Sequence, residues 1–441
     1  MIDLCEYAVA VGEKKGADEV EALWVKTVYT TVEAELGEIS KATTTMDEGI
    51  RIRVVKDKAL GSVFTYRLGK DDVTAAVGKA LAAASASKKD EHWNSLPSLR
   101  SYPLVDVWDS TIEAISAEEI MKPVTEMLEL APQDVAVFLA ANQTVVQERA
   151  CANSSGIAHE DRGTLELVGM AVVGMLENGV TPAFDEILFL RKYNPEPQKI
   201  VETLTNRVNL FKKKGEAAAT GRLPVIFSPS ALESLFRFTL FKAVSGENVA
   251  RGKSLFSGKE GEIVANPKFT LHDNGIIPTG VYSGEMDDEG VPRQDTPLIE
   301  DGVLQGFIWN DYWAKRTGFE STGNAYYEAT TDEMVIQQTT MVVTPGDCGT
   351  EELFSIKDGY YVLGLQGAHS SNPESGDFSV VCSPAYRVRD GEITGGVTGV
   401  MLSDNVFSLI GKIDVVGRET RVGEISVLPH IRFADVNVAS R

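Results

Sequence analysis

Three short polar stretches carry most of the side chains whose types and spacing could do chemistry. Asp287-Asp288-Glu289 gathers three carboxylates, the oxygen donors that hard divalent cations take. Gly290 and Pro292 close that run as a turn, and no EF-hand spacing surrounds it, so a solvated acidic turn is the competing reading. Thr322-Gly323-Asn324 and His369-Ser370-Ser371-Asn372 set hydroxyl, amide and imidazole groups on loops. If the two loops meet, they suit gripping an extended peptide backbone, as strand addition does. Taken singly, such residues cap turns and satisfy neighbouring backbone groups. The candidate binding residues are therefore Thr322, Gly323, Asn324, His369, Ser370 and Asn372, beside the acidic loop of Asp287, Asp288 and Glu289.

Nucleophilic and metal chemistry find less support. A Ser-His-Asp arrangement would need Ser321 or Ser370 with His369 and Asp377, yet no GxSxG elbow precedes a helix. His159-Glu160 begins like a zinc motif, but Gly163 and Thr164 stand where a second histidine is needed, and a surface His–Glu pair is expected. The other histidines, at 92, 272, 369 and 430, lack a spaced partner, and His92 is expected to be solvated. The four cysteines, at 5, 151, 348 and 382, show neither CxxC nor disulfide-like spacing, which fits reduced thiols. Cys382 beside Val380-Val381 reads as core. No GxGxxG or P-loop follows a strand. No catalytic residue, metal ligand or cofactor is assigned to this chain.

The elements that must position these loops fall into two similar blocks and a third of different texture. Residues 3–15 have loose helical spacing, Val20–Val32 reads as a strand, and Glu33–Thr45 as a more polar strand around Gly37. Ile50, Ile52 and Val54 continue in alternation, turn at Lys56-Asp57-Lys58 and return to Tyr66, before an Ala-rich helix over Asp71–Ser87. Lys88–Ser110 is polar, aperiodic and holds two prolines, the signature of a linker or long crossover. The order then repeats: helix Ala117–Leu130 capped by Ser116, strands at 135–141, 144–150, 157–162 and 165–175, and helix Glu196–Lys214. From Leu223 come a strand to Phe227, a helix over Pro229–Ser245, and short strands between Gly-rich turns. Among these, Asp301-Gly302 marks a hairpin and Gly318 stops an aromatic helix over Asp311–Thr317. The fold class is α+β: duplicated α-β4-α units at 1–110 and 111–220, then a β-rich domain at 221–441.

Composition limits the partners. The chain has 441 residues with 64 acidic against 42 basic side chains, a net charge of −22. Nonspecific DNA affinity comes mainly from Lys and Arg neutralising phosphate, and Lys212-Lys213-Lys214 is the one basic cluster, so no nucleic-acid partner is expected. No apolar run approaches the ~20 residues that span a bilayer, and Met1–Glu6 lacks the basic start of a signal peptide. A cytoplasmic protein without a membrane partner is expected.

The motifs DDEGVP, IEDGVLQGF and STGNA, collinear over residues 287–325, together with Gly367–Ser379 (GAHSSNPESGDFS), resemble the TldD/PmbA family, historically labelled modulators of DNA gyrase. The last run is similar to the PmbA (TldE) branch. The resemblance implies a subunit of a cytosolic metallopeptidase that processes unfolded peptides. In the TldD branch it also implies a zinc site of a helical HExxxH and a cysteine near the C-terminus. Here the corresponding helix, Ser228–Phe236, has no histidine and one Glu, and the corresponding segment, Gly417–Glu424, has no cysteine. The expected function is a non-catalytic PmbA/TldE-like subunit, contributing scaffold and peptide-binding surface beside a zinc-bearing TldD-like paralogue. The alternative is an independently acting homodimeric hydrolase or peptide-binding protein centred on His369 and the acidic loop.

Overall fold

A computed structural model describes residues 1–213, 215, 220–328 and 330–440 of the chain. Lys214, the last residue of one expected helix and of the lysine cluster, lies outside them. The first half opens with α1 (Ile2–Lys14), β1 (Glu19–Glu35), β2 (Glu38–Lys56), β3 (Ala59–Thr65) and α2 (Lys70–Ala86). After a short α3 (Ser110–Ala114) the order recurs as α4 (Ala117–Leu130), β4 (Val135–Asn153), β5 (Ala158–Leu176), a two-residue β6 (Gly179–Val180), β7 (Phe184–Leu190) and α5 (Pro197–Lys212). The duplicated helix–strands–helix order is thus present, with strands longer than their local patterns suggest. The expected strands at 135–141 and 144–150 are one, because Asn142 stays in the ladder and buries its amide, donating to Ile120 O at 3.4 Å. Those at 157–162 and 165–175 are also one, running through Gly163.

The two units share a single antiparallel sheet in the order β3-β2-β1-β4-β5, with β7 on β5. β1 and β4 pair at its centre from Glu21↔Asn153 to Glu35↔Leu139, so one unit is turned about end for end against the other. Both pairs of helices cover the same sheet face. Alternate residues Val20, Ala22, Ile50 and Ile52 pack against α1 and α2, while Ala34, Val168, Met170 and Phe184 pack against α4 and α5. This is the period-2 separation of faces that a half-buried strand requires. The other face carries Glu21, Arg51, Arg53 and Arg149, all buried. They meet the second half of the chain.

Residues 221–440 form a thirteen-stranded sheet and a separate two-stranded hairpin, 325–328 with 333–336. β8 (Gly221–Phe227) sits inside the large sheet, parallel to Asp358–Val362 and antiparallel to Ser426–Ser440. The helix expected over 229–245 is broken into α6 (Pro229–Arg237), α7 (Leu240–Ala243) and α8 (Gly246–Ala250). Thr239 makes the break: at φ −132°, ψ −88°, its hydroxyl donates back to Leu235 O at 2.7 Å, a bond that competes with regular helix. The Asp301-Gly302 turn is as read, with φ of 47° and 80° closing Glu300 onto Val303. The aromatic helix also ends as read, on Gly318 at φ 83°. Residues 88–109, within the Lys88–Ser110 stretch expected as a linker or long crossover, pack as a strap across both halves. Trp93, Leu96 and Val107 are buried, Tyr102 donates to Gly290 O, and Lys315 donates to Ser95 O and Leu96 O.

Candidate functional site

The helix α6 is the wall around which the site is built. Pro229 occupies its first turn and the Ser228 hydroxyl accepts from Ala231 N at 3.2 Å, a combination that starts a helix sharply. Ala231, Leu232, Leu235 and Phe236 face the core and are fully buried, each large side chain contributing about 2 kcal/mol. The opposite face leaves Ser230, Glu233, Ser234 and Arg237 lining a cavity of about 330 Å³. Across that cavity runs the segment leading into the Ser426–Ser440 strand. Glu233 accepts from the Ser426 hydroxyl, and Arg237 bridges Glu233 at 3.3 Å and Glu424 at 2.6 Å. Tyr282 donates to the other oxygen of Glu424 at 3.4 Å. Gly423 leaves room for this approach, since a Cβ there would stand 2.1 Å from Glu233 Oε2 and push that carboxylate aside.

This cavity joins two others into a groove along α6. One, of about 820 Å³, lies between β7, Pro229-Ser230, Gln366 and Arg421. The other, of about 730 Å³, is bounded by Arg237, Phe238, Tyr326, Gln337, His369 and Ser371. Of the two polar loops, only that of His369 borders this space; Thr322, Gly323 and Asn324 are not among the residues that line it. His369 faces it, its ring 6.4 Å from that of Phe238. Ser370 lies on the same short helical turn, and Asn372 Oδ1 accepts from Glu374 N and Ser375 N, fixing the loop. Thr322 and Asn324 act from behind the opposite wall. Thr322 Oγ1 accepts from Trp309 N at 2.7 Å, and Asn324 Nδ2 donates to Asp273 and to Gln337 O. Gly323, at φ 78°, lies against Pro292 O, 2.4 Å from where a Cβ would sit. Asp377 bonds Ser375 and Asn405, away from His369.

The acidic run is neither solvated nor part of this groove. Asp287 and Glu289 are buried to within 1%. Asp287 accepts backbone hydrogens from Glu289, Val291 and Ala325, each at 2.9 Å. Glu289 takes Arg53 at 2.9 Å and Asp311 N at 3.1 Å, and Asp288 takes Arg149 at 3.0 Å. Arg53 and Arg149 also hold Glu21 and Asp161 on their own sheet. The run is a clasp between the two halves of the chain. Burial, with Glu289 beside it, pushes Asp287 up to about 8.

The histidines fall elsewhere. His159, expected as a surface pair with Glu160, instead stacks on Tyr102 at 3.6 Å and meets Glu285 at 2.9 Å. Glu160 binds the N-terminal amine. His272 pairs with Asp295, and His430 is held neutral by burial at about 4, 3.0 Å from the Tyr361 hydroxyl. Cys382 is core.

Residues 220–440 match the PmbA/TldA metallopeptidase C-terminal domain, and residues 20–84 match domain 1 of the same metallopeptidases. The chain belongs to the PmbA/TldD family. The crystal structure of TldE from Thermococcus kodakarensis superposes with a TM-score of 0.93 at 31% identity, covering 99% of this chain and 100% of that one. An uncharacterized protein of Methanocaldococcus jannaschii is 26% identical over 413 residues, 92% of each chain. A metalloprotease TldD homolog of Haemophilus influenzae is 31% identical over 217 residues, 49% of this chain and 45% of its own.

A PmbA/TldD metallopeptidase centre calls for zinc, held by three or four His, Cys or carboxylate donors converging on one point. Among the described residues no three such side chains do so. Where α6 meets residues 423–426, the guanidinium of Arg237 stands between the two carboxylates, and Arg421 lines the same cavity. A divalent cation would meet direct repulsion there. These residues do not fit zinc. Sequence reading brought Ser228–Phe236 and Gly417–Glu424 into play but missed Arg237 and Glu424 as partners, 187 positions apart. The Glu233–Arg237 spacing of one helical turn was the available signal.

Proposed function

We propose that this chain is the non-catalytic, TldE-like subunit of a cytoplasmic TldD/TldE-type metallopeptidase that processes unfolded peptides. A zinc-bearing TldD-like paralogue binds the metal and activates water; this chain supplies scaffold and a peptide-binding wall. The observation that carries the reading is the Glu233–Arg237–Glu424 cluster, set in a chain that aligns end to end with a TldE. A guanidinium shared by two carboxylates supports no metal-bound water, and the groove beside it remains open along α6. An elongated groove with polar walls suits an extended peptide. His369 and Tyr326 are the side chains set to touch it, while Thr322, Gly323, Asn324, Ser370 and Asn372 hold the walls in place. The charge of −22 keeps the surface from nucleic acid, and no described helix is long and apolar enough to cross a membrane.

The test is co-expression with a paralogue of the same genome that carries HExxxH and a C-terminal cysteine, with a tag on the paralogue alone. The two chains are expected to co-elute as one complex through size exclusion. Separate elution at every concentration overturns the assignment.

A further inference from the structure

The sheet face turned toward the second half of the chain borders a cavity of about 460 Å³. Its lining is net positive, in a chain whose net charge is −22. Four guanidiniums line it, those of Arg149, Arg162, Arg191 and Arg293, against two carboxylates, Asp161 and Glu424. Both carboxylates are already matched. Asp161 takes Arg149 at 2.5 Å, and Glu424 takes Arg237 of α6 at 2.6 Å. Behind the lining, Arg149 also holds Asp288, while Asp287, pushed up by burial to about 8, carries little charge at neutral pH. Arg162 lies over the Trp108 ring at 4.1 Å. Arg191 and Arg293 form no ion pair among the described residues; their hydrogen bonds go to backbone carbonyls.

Strand alternation and strand ends put these groups together. Gln143, Gln147 and Arg149 are alternate positions of β4 and share one face. Arg191 follows the last residue of β7 and donates to the carbonyls of Gly280, Thr164, Val281 and Ser283 at 2.6–3.1 Å. Carbonyls satisfy its hydrogens and leave its charge whole. Arg293 donates through Nε to Met286 O at 2.9 Å, and its terminal nitrogens have no partner among the described residues. Ser283, 7% exposed, lines the same cavity, and its hydroxyl also lacks a partner. A buried polar group left unpaired costs free energy that a ligand can recover. The cations crowd one another as well. Burial, then Arg293 and Arg149, bring Arg191 down to about 10, and burial with Arg149 lowers Arg293.

We propose that this cavity binds a carboxylate carried by an extended peptide, seated against Arg191 and Arg293. Guanidinium and carboxylate match in charge and in planar geometry, and their hydrogen bonds are among the strong ones. The cavity opens on the groove along α6, because Tyr282 and Glu424 line both. Ile187 and Phe189 line it together with the α6 cavity, an apolar wall for the carbon chain behind the charge. Gln143 and Gln147 give amide hydrogens to Thr31 and Thr27, which leaves their carbonyl oxygens to accept from a peptide N–H. A polyanion would have to approach a surface of net charge −22, whereas one carboxylate on a neutral peptide meets little of that repulsion. A C-terminus and an acidic side chain present the same chemistry here. The proposal rests on the peptide groove along α6 and names the charge that the groove selects.

The purified full chain is titrated, by fluorescence anisotropy, with a dansyl-labelled hexapeptide of alanine and serine in three forms. These are the free acid, the C-terminal amide, and the amide carrying one glutamate. At least one carboxylate form is expected to bind about tenfold tighter than the neutral amide. The tighter of the two identifies a terminal or a side-chain carboxylate as the source. Arg293→Gln is expected to bring the carboxylate forms down to the affinity of the neutral amide. Arg293→Lys, which keeps the charge without the planar fork, is expected to keep part of the preference. Gln147→Glu, which sets a carboxylate of the chain's own in the cavity, is expected to remove the preference without deleting an arginine. Equal affinity for all three forms overturns the pocket and leaves the groove. Binding of no form overturns both. Carboxylate forms that bind where the neutral amide does not would keep the pocket and remove the rest of the groove as a peptide wall. A preference that survives both Arg293→Gln and Gln147→Glu, or tighter binding of inorganic phosphate than of either carboxylate peptide, also overturns the pocket. Co-elution with the paralogue is read separately, so the subunit role stands or falls apart from it.

Discussion

Single buried charges decide much of this molecule's behaviour, and Glu166 is the clearest case for a titration. It is fully buried on β5, diagonal to Asn142 on the same sheet face. Its Oε1 and Asn142 Oδ1 each lack a hydrogen-bond partner. Burial pushes its carboxyl up to about 7. A raised folded-state pKa means that the protonated acid is favoured by folding. The stabilisation is fully present below the usual value near 4.5 and is lost as pH rises through about 7. Glu166→Gln keeps the neutral form at every pH. It is expected to stabilise the fold by on the order of 2 kcal/mol at about pH 8, and by almost nothing at about pH 4.5, in denaturant melts at the two values. Equal effects at both pH values would contradict the titration. Asn142 and Glu166 were not readable as a pair, because their meeting depends on a strand register that local alternation does not reveal.

Elements were legible where the pattern is local and misread where the partner is distant. The primed turn at Asp301-Gly302 and the stop at Gly318 follow from residue type alone. The length of β4 and β5 does not, since Asn142 and Gly163 look like breaks until a packed helix and the strap supply their partners. The acidic run shows the same limit: three adjacent carboxylates read as a solvated turn, yet Arg53 and Arg149 arrive from strands more than a hundred residues earlier. That clasp joins sheet to second half, so its loss is felt by both. Arg149→Ala removes the one guanidinium that bonds both Asp161 and Asp288, leaving them to the more distant charge of Arg293, and is expected to cost about 3 kcal/mol. Adding Asp288→Asn to that variant should recover part of the loss, read as a rise in Tm over Arg149→Ala alone. A single variant as stable as wild type would show that the clasp is incidental.

At the scale of the whole molecule, the family motifs were legible because they are collinear, whereas the ion-pair wiring along α6 was not. Arg237 between Glu233 and Glu424 appears only when α6 and the residues before Ser426 are set side by side. The chain superposes end to end on a TldE, and on its α6 a guanidinium stands between two carboxylates. The most direct measurement is zinc content and chelator-sensitive cleavage of a denatured, reduced polypeptide, for this chain alone, the paralogue alone and their mixture, all purified without a His-tag. The subunit role predicts no stoichiometric zinc and no cleavage for this chain alone, and chelator-sensitive cleavage by the mixture. Stoichiometric zinc together with chelator-sensitive cleavage by this chain alone would contradict it.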